Sequence, residues 1–222
     1  MPASATRLKI TEIFRSLQGE AASVGWPTTF VRLTGCPLRC HFCDTAYAFY
    51  GGEWWELADV IARVQANKTR HVCVTGGEPL AQKSCLTLLT ALCDQELDGL
   101  PLAVSLETSG AVDITAVDPR VSRVVDVKTP GSGEASRNLY EQLQTLRPAE
   151  QIKFVIVDQT DYEWARQKVR DLELTKCCNV LFSPVADRLP PGELADWMLK
   201  DQLPVRFQLQ LHKVLWGNVP GR

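Results

Sequence analysis

The sequence lacks the features that would place it on a membrane or on nucleic acid. Nowhere in its 222 residues is there a run approaching the roughly 20 apolar residues that a membrane-crossing helix needs. The opening stretch, MPASATRLKITEIF, has no apolar secretory core. There is no excess of positive charge. Twenty-four Lys and Arg stand against 26 Asp and Glu, for a net charge of -2, whereas general nucleic-acid or membrane-surface binders carry a basic surplus. Internal repeats and low-complexity stretches are missing, and no domain boundary stands out. The expectation is a single domain over residues 1–222, cytoplasmic, with no direct nucleic-acid or membrane partner. In a reducing compartment its eight cysteines read as metal-binding, catalytic or buried rather than as disulfides.

What is present is an alternation of strand-like and helix-like segments. Short β-branched runs bounded by Gly, Pro or Asp occur at residues 28–35, 71–77, 102–110, 122–128, 152–158, 179–185 and 205–212. They suit strands covered on both faces. A further strand is expected over residues 9–18, paired near the first, with QGEAASVG as the turn. Helical patterns cover residues 54–67, 84–97, 162–174 and 191–199, and more weakly 136–147. Trp197 and Met198 read as helix core. The stretch GSGEAS, residues 131–136, reads as a mobile loop. Alternating units predict an α/β fold with a mostly parallel sheet and flanking helices, either a complete or partial barrel or an open doubly wound sheet. Nearly every strand run ends in a residue with chemistry: Cys36, Gly76-Gly77-Glu78, Glu107-Thr108, Asp126 to Lys128, Ser183 and His212. Strand C-terminal ends share one rim in such folds, and sites form there.

The densest signal is GCPLRCHFCDTAYAF, residues 35–49. Cys36, Cys40 and Cys43 follow C-x3-C-x2-C, a loop short enough to bring three thiolates around one centre. A 4Fe-4S cluster held by three cysteines keeps one iron open. Zinc would need a fourth ligand from His41 or a distant cysteine. Cys73, Cys85, Cys93, Cys177 and Cys178 form no second C-x2-C pair and read as small buried hydrophobes.

The three-cysteine loop, with Phe42 before its last cysteine, resembles the signature of the radical S-adenosylmethionine (SAM) superfamily, and VTGGEP (74–79) resembles its GGE motif. Together with FRSLQGE (14–20), FVRLTGCPLRCHFCDT and LETSG, the chain resembles the 7-carboxy-7-deazaguanine synthase family in particular. The resemblance implies a partial (β/α) barrel of the radical SAM type. It implies a lyase that converts 6-carboxy-5,6,7,8-tetrahydropterin to 7-carboxy-7-deazaguanine with loss of ammonia, on the way to queuosine and related deazapurines, with a 4Fe-4S cluster, SAM and Mg²⁺. Cys36, Cys40 and Cys43 would ligate the cluster. SAM would meet Phe42, Asp44, Gly76, Gly77 and Glu78, and also Asp126, Val127, Lys128, Ser183, Pro184 and Val185. Leu17, Gln18, Gly19, Arg32, Thr75, Glu107 and His212 would hold the pterin, and Thr45 the magnesium. Arg32 suits the substrate carboxylate, because a guanidinium grips it with two parallel bonds. Glu107 suits the N–H donors of the aminopyrimidinone edge. A homodimer and an electron donor such as flavodoxin are also implied.

Ordinary readings stand beside these. Arg32 could be an exposed strand residue, Thr45 a cap, His212 structural, and Asp126 with Lys128 a surface ion pair. Tyr47, Phe49, Tyr50, Trp54 and Trp55 pack over the cluster or form an interface. Two other functions compete: an activase that installs a glycyl radical on a partner protein, and a zinc-stabilised module without catalysis. LQGE, ETSG and CDT favour the pterin enzyme.

Overall fold

The computed structural model describes residues 6–217, 219 and 221. The elements follow in chain order: β1 (Arg7–Leu17), β2 (Pro27–Leu33), β3 (Glu53–Glu56), α1 (Leu57–Ala66), β4 (His71–Gly76), α2 (Ser84–Cys93), β5 (Glu96–Leu97), β6 (Leu100–Pro101), β7 (Ala103–Ser109), β8 (Ser122–Asp126), β9 (Gln151–Ile156), α3 (Gln159–Asp171), α4 (Leu174–Cys177), β10 (Asn179–Pro184), α5 (Pro191–Lys200), β11 (Arg206–Phe207) and α6 (Leu211–Trp216). Nine strands form one sheet in the order β11-β10-β9-β8-β7-β4-β2-β1-β3. From β2 to β11 every pairing is parallel; β1 joins β2, and β3 joins β1, antiparallel. The end strands β3 and β11 stand at opposite ends of this order, so the arrangement is a partial barrel, not a closed one. Among the described residues no helix is long and apolar enough to cross a membrane.

Each strand divides its residues between two faces, because side chains alternate along it. One phase faces the helices. Val31 and Leu33 of β2, Val72 and Val74 of β4, and Val104 and Leu106 of β7 pack with Val60 and Val64 of α1 and Leu88, Leu89 and Leu92 of α2. In the other half, Ile152, Phe154 and Ile156 of β9 and Phe182 of β10 pack with Tyr162, Ala165 and Val169 of α3 and Leu194 and Met198 of α5. Phe154 and Phe182 are fully buried, with ring centroids 5.4 Å apart at 70°. Truncating either to alanine should cost about 3–5 kcal/mol. The other phase carries Arg32, Thr75, Glu107, Asp126 and Lys153, all on one cavity. These strands are therefore two-faced, and the continuous apolar runs conceal an inner face that holds the chemistry.

At the base of the sheet, Arg123 meets Glu150 through two bonds, Nε to Oε1 at 2.6 Å and Nη2 to Oε2 at 2.8 Å. Glu150 Oε2 also accepts from the Arg147 backbone N–H at 2.7 Å. The pair ties the start of β8 to the turn before β9.

Several expected elements are shorter or different. The run at residues 205–212 gives only the two-residue β11; the chain then leaves the sheet, Leu211 N donates to Gly19 O at 2.9 Å, and α6 begins. His212 is therefore on a helix. Trp54 and Trp55 lie on the edge strand β3, opposite Lys9 and Leu8, and the helix starts only at Leu57. The helix expected to reach Leu97 stops at Cys93. Beyond it, Asp98 (φ 52°) and Gly99 (φ 76°) turn β5 back onto β6, as a two-residue hairpin with both central residues at positive φ requires. Residues 135–137 and 140–145 form 3-10 turns, not an α-helix. The GSGEAS stretch is fastened at its base. The buried Asp161 carboxylate accepts from Thr129 Oγ1 at 2.8 Å, Gly131 N at 2.8 Å and Val157 N at 3.2 Å.

Candidate active site on the inner face of the sheet

Cys36 follows β2, and the loop it opens is held from several sides. Arg39 Nη1 donates to Cys36 O and Leu38 O, both at 2.7 Å, and its guanidinium lies 4.4 Å from the Phe49 ring centroid. Arg39 N donates to Glu134 Oε1 at 2.6 Å, and His41 N to Ser132 O at 3.0 Å. The loop is thus seated on residues 132–134. Cys36, Cys40 and Cys43 all line one cavity of about 230 Å³. Burial raises all three thiols, Cys40 to about 11, while Lys128 pulls the other way.

The end of β4 lies tight against this loop. A Cβ on Gly77 would come 2.3 Å from Gly35 O and 2.8 Å from Cys36 Cβ; one on Gly76 would come 2.4 Å from Leu33 O. Only glycine permits the approach. The Glu78 carboxylate is already used. It accepts from Thr108 Oγ1, Ser109 N and Ser109 Oγ, each at 2.7 Å, and from Leu80 N at 3.0 Å. Its side chain braces β7, and only its backbone is left for a ligand.

The donor set fits an iron–sulfur cluster better than a lone ion. Among the described residues no group of three His, Cys, Asp or Glu side chains is placed to hold one metal ion. His41 does not join the thiols in the main cavity. Its ring rests on Gly133, where a Cβ would meet Cε1 at 2.7 Å. What remains is three soft thiols around one chamber, which suits iron and sulfide.

Charges crowd the same chamber, and Arg32, Lys128, Lys153 and Lys213 each meet a carboxylate, as buried charges require. Lys153 Nζ is 2.5 Å from Glu20 Oε2 and 3.5 Å from Asp126 Oδ2. Lys128 Nζ is 3.1 Å from Asp126 Oδ1. Burial alone would raise Glu20 and Asp126; the lysines outweigh it, and both carboxyls end below their ordinary range. Glu107 goes the other way, raised by burial and by Glu20. Glu107 accepts from Gln18 Nε2 at 3.2 Å and Thr75 Oγ1 at 3.1 Å. Arg32 Nε donates to Glu12 Oε1 at 2.7 Å. At the mouth, Lys213 Nζ holds Asp44 Oδ2 at 2.7 Å, and Thr45 Oγ1 donates to Asp44 Oδ1 at 2.9 Å.

Most of the residues expected at a site meet here. Leu17, Gln18, Arg32, Thr75, Glu107 and His212 line the cavity on one side. Phe42, Asp44, Thr45, Gly76 and Gly77 line it too, as do Asp126, Lys128 and Val185. Five others stand behind this lining. Gly19 packs against the His212 ring, which a Cβ would strike at 2.1 Å. Val127 turns its side chain into the helix-side core. Glu78 is the brace described above. Ser183 and Pro184 are buried in β10, and Ser183 Oγ has no protein partner among the described residues. Sequence reasoning missed Lys153, Glu20 and Glu12. Lys153 left a trace, as the lone cation in the apolar run IKFVIV; Glu20 stood in QGE without a role.

Known proteins resemble the chain closely. The model of the Radical SAM superfamily matches residues 30–124. A 7-carboxy-7-deazaguanine synthase of Chlorobaculum tepidum is 43% identical over 213 residues, 95% of this chain and 94% of that protein. One of Koribacter versatilis is 41% identical, over 94% of this chain and 97% of that one. In three dimensions the chain resembles the crystal structure of QueE from Escherichia coli, with a TM-score of 0.71 at 24% identity over 93% of this chain and 95% of that one. That last likeness concerns the fold.

Proposed function

The chain belongs to the 7-carboxy-7-deazaguanine synthase family of radical SAM enzymes, and from that membership we infer the part each of its side chains plays. The enzyme is a lyase that converts 6-carboxy-5,6,7,8-tetrahydropterin to 7-carboxy-7-deazaguanine with release of ammonia, in the route to queuosine and 7-deazapurines. The observation that carries the reading is the sharing of one cavity by the three thiols, the Gly76-Gly77 turn and the charged inner face.

Cys36, Cys40 and Cys43 hold the 4Fe-4S cluster. When bound, cluster and SAM together supply hydrogen-atom abstraction from the substrate. The backbone of Gly76, Gly77 and Glu78 receives the amino group of SAM. Asp126 and Lys128, with Ser183 and the backbone of Val127, Pro184 and Val185, receive its ribose and carboxylate. The unpartnered Ser183 hydroxyl supports this, because a buried hydroxyl seeks a bond. Phe42 and Asp44 flank the adenine or methionine portion.

On the substrate side, Arg32 takes the pterin carboxylate. Its Nε is occupied by Glu12, which leaves the two terminal nitrogens for a paired grip. Glu107, Gln18 and Thr75 form a bonded set that reads the aminopyrimidinone edge, with Leu17 and Gly19 beside it. His212 closes the same side. Thr45 would contribute its hydroxyl to a Mg²⁺, a hard cation that takes oxygen ligands and would supply positive charge beside the substrate acid. Phe14, Phe30 and Val124 in the wall keep water from the reacting atoms. Two partners come from the family alone, a second copy of the chain and a donor such as flavodoxin. The reading also puts the enzyme in the cytoplasm.

The test is anaerobic. Protein reconstituted with iron and sulfide is supplied with SAM, a reductant and carboxytetrahydropterin, and the deazaguanine acid and ammonia are followed. Both should form with wild type and neither with Cys40→Ala. Reconstituted wild type that binds iron and SAM yet makes no product would overturn the substrate assignment.

A further inference from the structure

Opposite the arginine assigned to the substrate carboxylate stands a residue with no role so far. β1 and β2 pair as Ile10↔Leu33 and then as Glu12↔Arg32, with Thr11 the extra residue between. This is a β-bulge, which re-aims the side chains that follow it. Ile10 points into the helix-side core, while Glu12 becomes the cross-strand neighbour of Arg32. The side chain of Gln82 closes backbone groups at the bulge. Its Oε1 accepts from Lys9 N, and its Nε2 donates to Lys9 O and Thr34 O, all at 2.9 Å.

Glu12 Oε1 takes two donors, Arg32 Nε and Tyr47 OH, each at 2.7 Å. The guanidinium carbon lies 5.9 Å from the Phe14 ring centroid and 5.8 Å from that of Tyr47, within cation–π reach of both. Arg32 is therefore fixed at its Nε edge and steadied by two rings. No hydrogen bond from its terminal nitrogens is found among the described residues. Glu107, on the same cavity, is near enough to favour the charged guanidinium. An arginine released by Glu12 has that carboxylate to swing to.

We propose that Glu12 is a positioning residue that sets specificity for the carboxylated pterin: with Tyr47 it holds Arg32 by Nε, keeping the terminal nitrogens free for the substrate acid and away from Glu107. The proposal rests on the reading of Arg32 given above. Glu12 itself touches no substrate in this arrangement. It supplies direction, because a paired grip on a carboxylate works only in one plane.

The experiment uses the reconstituted holoenzyme as wild type, Arg32→Ala, Glu12→Ala, Glu12→Gln and Tyr47→Phe. KM and kcat are measured for carboxytetrahydropterin, together with the inhibition constant of tetrahydropterin, which lacks the acid. Glu12→Ala should raise KM about tenfold or more, leave kcat within about threefold, and leave the inhibition constant unchanged. Glu12→Gln keeps an oxygen for Nε and should stay within about threefold of wild type, and Tyr47→Phe should fall between. A parallel rise of KM and inhibition constant in Glu12→Ala and Glu12→Gln means that Glu12 merely shapes the cavity, and overturns the proposal. So does a loss confined to kcat, or an unchanged KM in Glu12→Ala while Arg32→Ala loses the preference for the acid. If Arg32→Ala keeps that preference, the arginine reading fails, and the proposal with it.

Discussion

Lys153 and Glu20 are 133 positions apart in the chain, yet their side chains meet at 2.5 Å on the inner face of the sheet. The same lysine reaches Asp126 at 3.5 Å. One cation thus holds two acids of the inner face, Glu20 and Asp126, in their charged forms. In Lys153→Gln both carboxyls lose that support and their pKa values rise. A higher pH is then needed to ionise them, so the acid limb of the kcat/KM profile should move upward. Lys153→Arg should largely restore it. An unmoved acid limb in Lys153→Gln would show that these carboxylates do not limit the reaction.

At Gly77 the end of β4 lies tight against the thiol loop. Gly77→Ala puts a methyl 2.3 Å from Gly35 O, so the loop has to shift. Iron bound per chain after anaerobic reconstitution should fall severalfold, with the far-UV circular dichroism retained. Gly192→Ala is the control, since nothing lies within 4 Å of a Cβ there. Equal iron in both variants would remove the packing argument.

Magnesium dependence isolates Thr45. Its hydroxyl now rests on Asp44 and is on the cavity wall. Thr45→Ala should keep its cluster, read from the visible absorption, and lose most of the stimulation by added Mg²⁺. A variant as responsive to magnesium as wild type would refute the role.

Acid stability depends on a pair far from the chemistry. Burial tends to raise Glu150, but bonds from Arg123 and Arg147 prevail and draw it from 4.5 to about 2. The unfolded chain takes up this proton near its ordinary pKa, and the folded chain does not. The stabilisation is therefore complete above about 4.5 and drains away as pH falls toward about 2. Glu150→Gln strands Arg123 and should cost about 3 kcal/mol at neutral pH, a drop of about 6–12 °C in Tm. Its melting temperature should also fall less steeply than that of wild type between those pH values.

The sequence made local features legible and long-range ones not. The thiol loop could be read because three cysteines within eight positions need no partner segment to be recognised. The parallel strands could be read from their β-branched runs. β1 could not be read in full. Leu8, Ile10, Glu12 and Phe14 keep an even spacing that would put all four on one face. The bulge at Thr11 instead sets Glu12 beside Arg32, Phe14 on the cavity and Ile13 against the helix-side core. It is capped by Gln82, some 70 residues on. His212 carried the right chemistry in the wrong element, because β11 is limited by its two pairings with β10. Lys153 and Glu20 had no local reason to be matched.

The seat beneath the thiols has a consequence for biosynthesis. Ser132 and Glu134 receive the loop, and Asp161 fastens the segment that carries them. A ribosome adding about 5–20 residues per second makes the sulfur ligands on the order of ten seconds before this platform. At that stage the thiol loop lacks its seat on Ser132 and Glu134. The seat of the loop is complete only once the chain through Asp161 has emerged, so the folded thiol loop is a late product of synthesis.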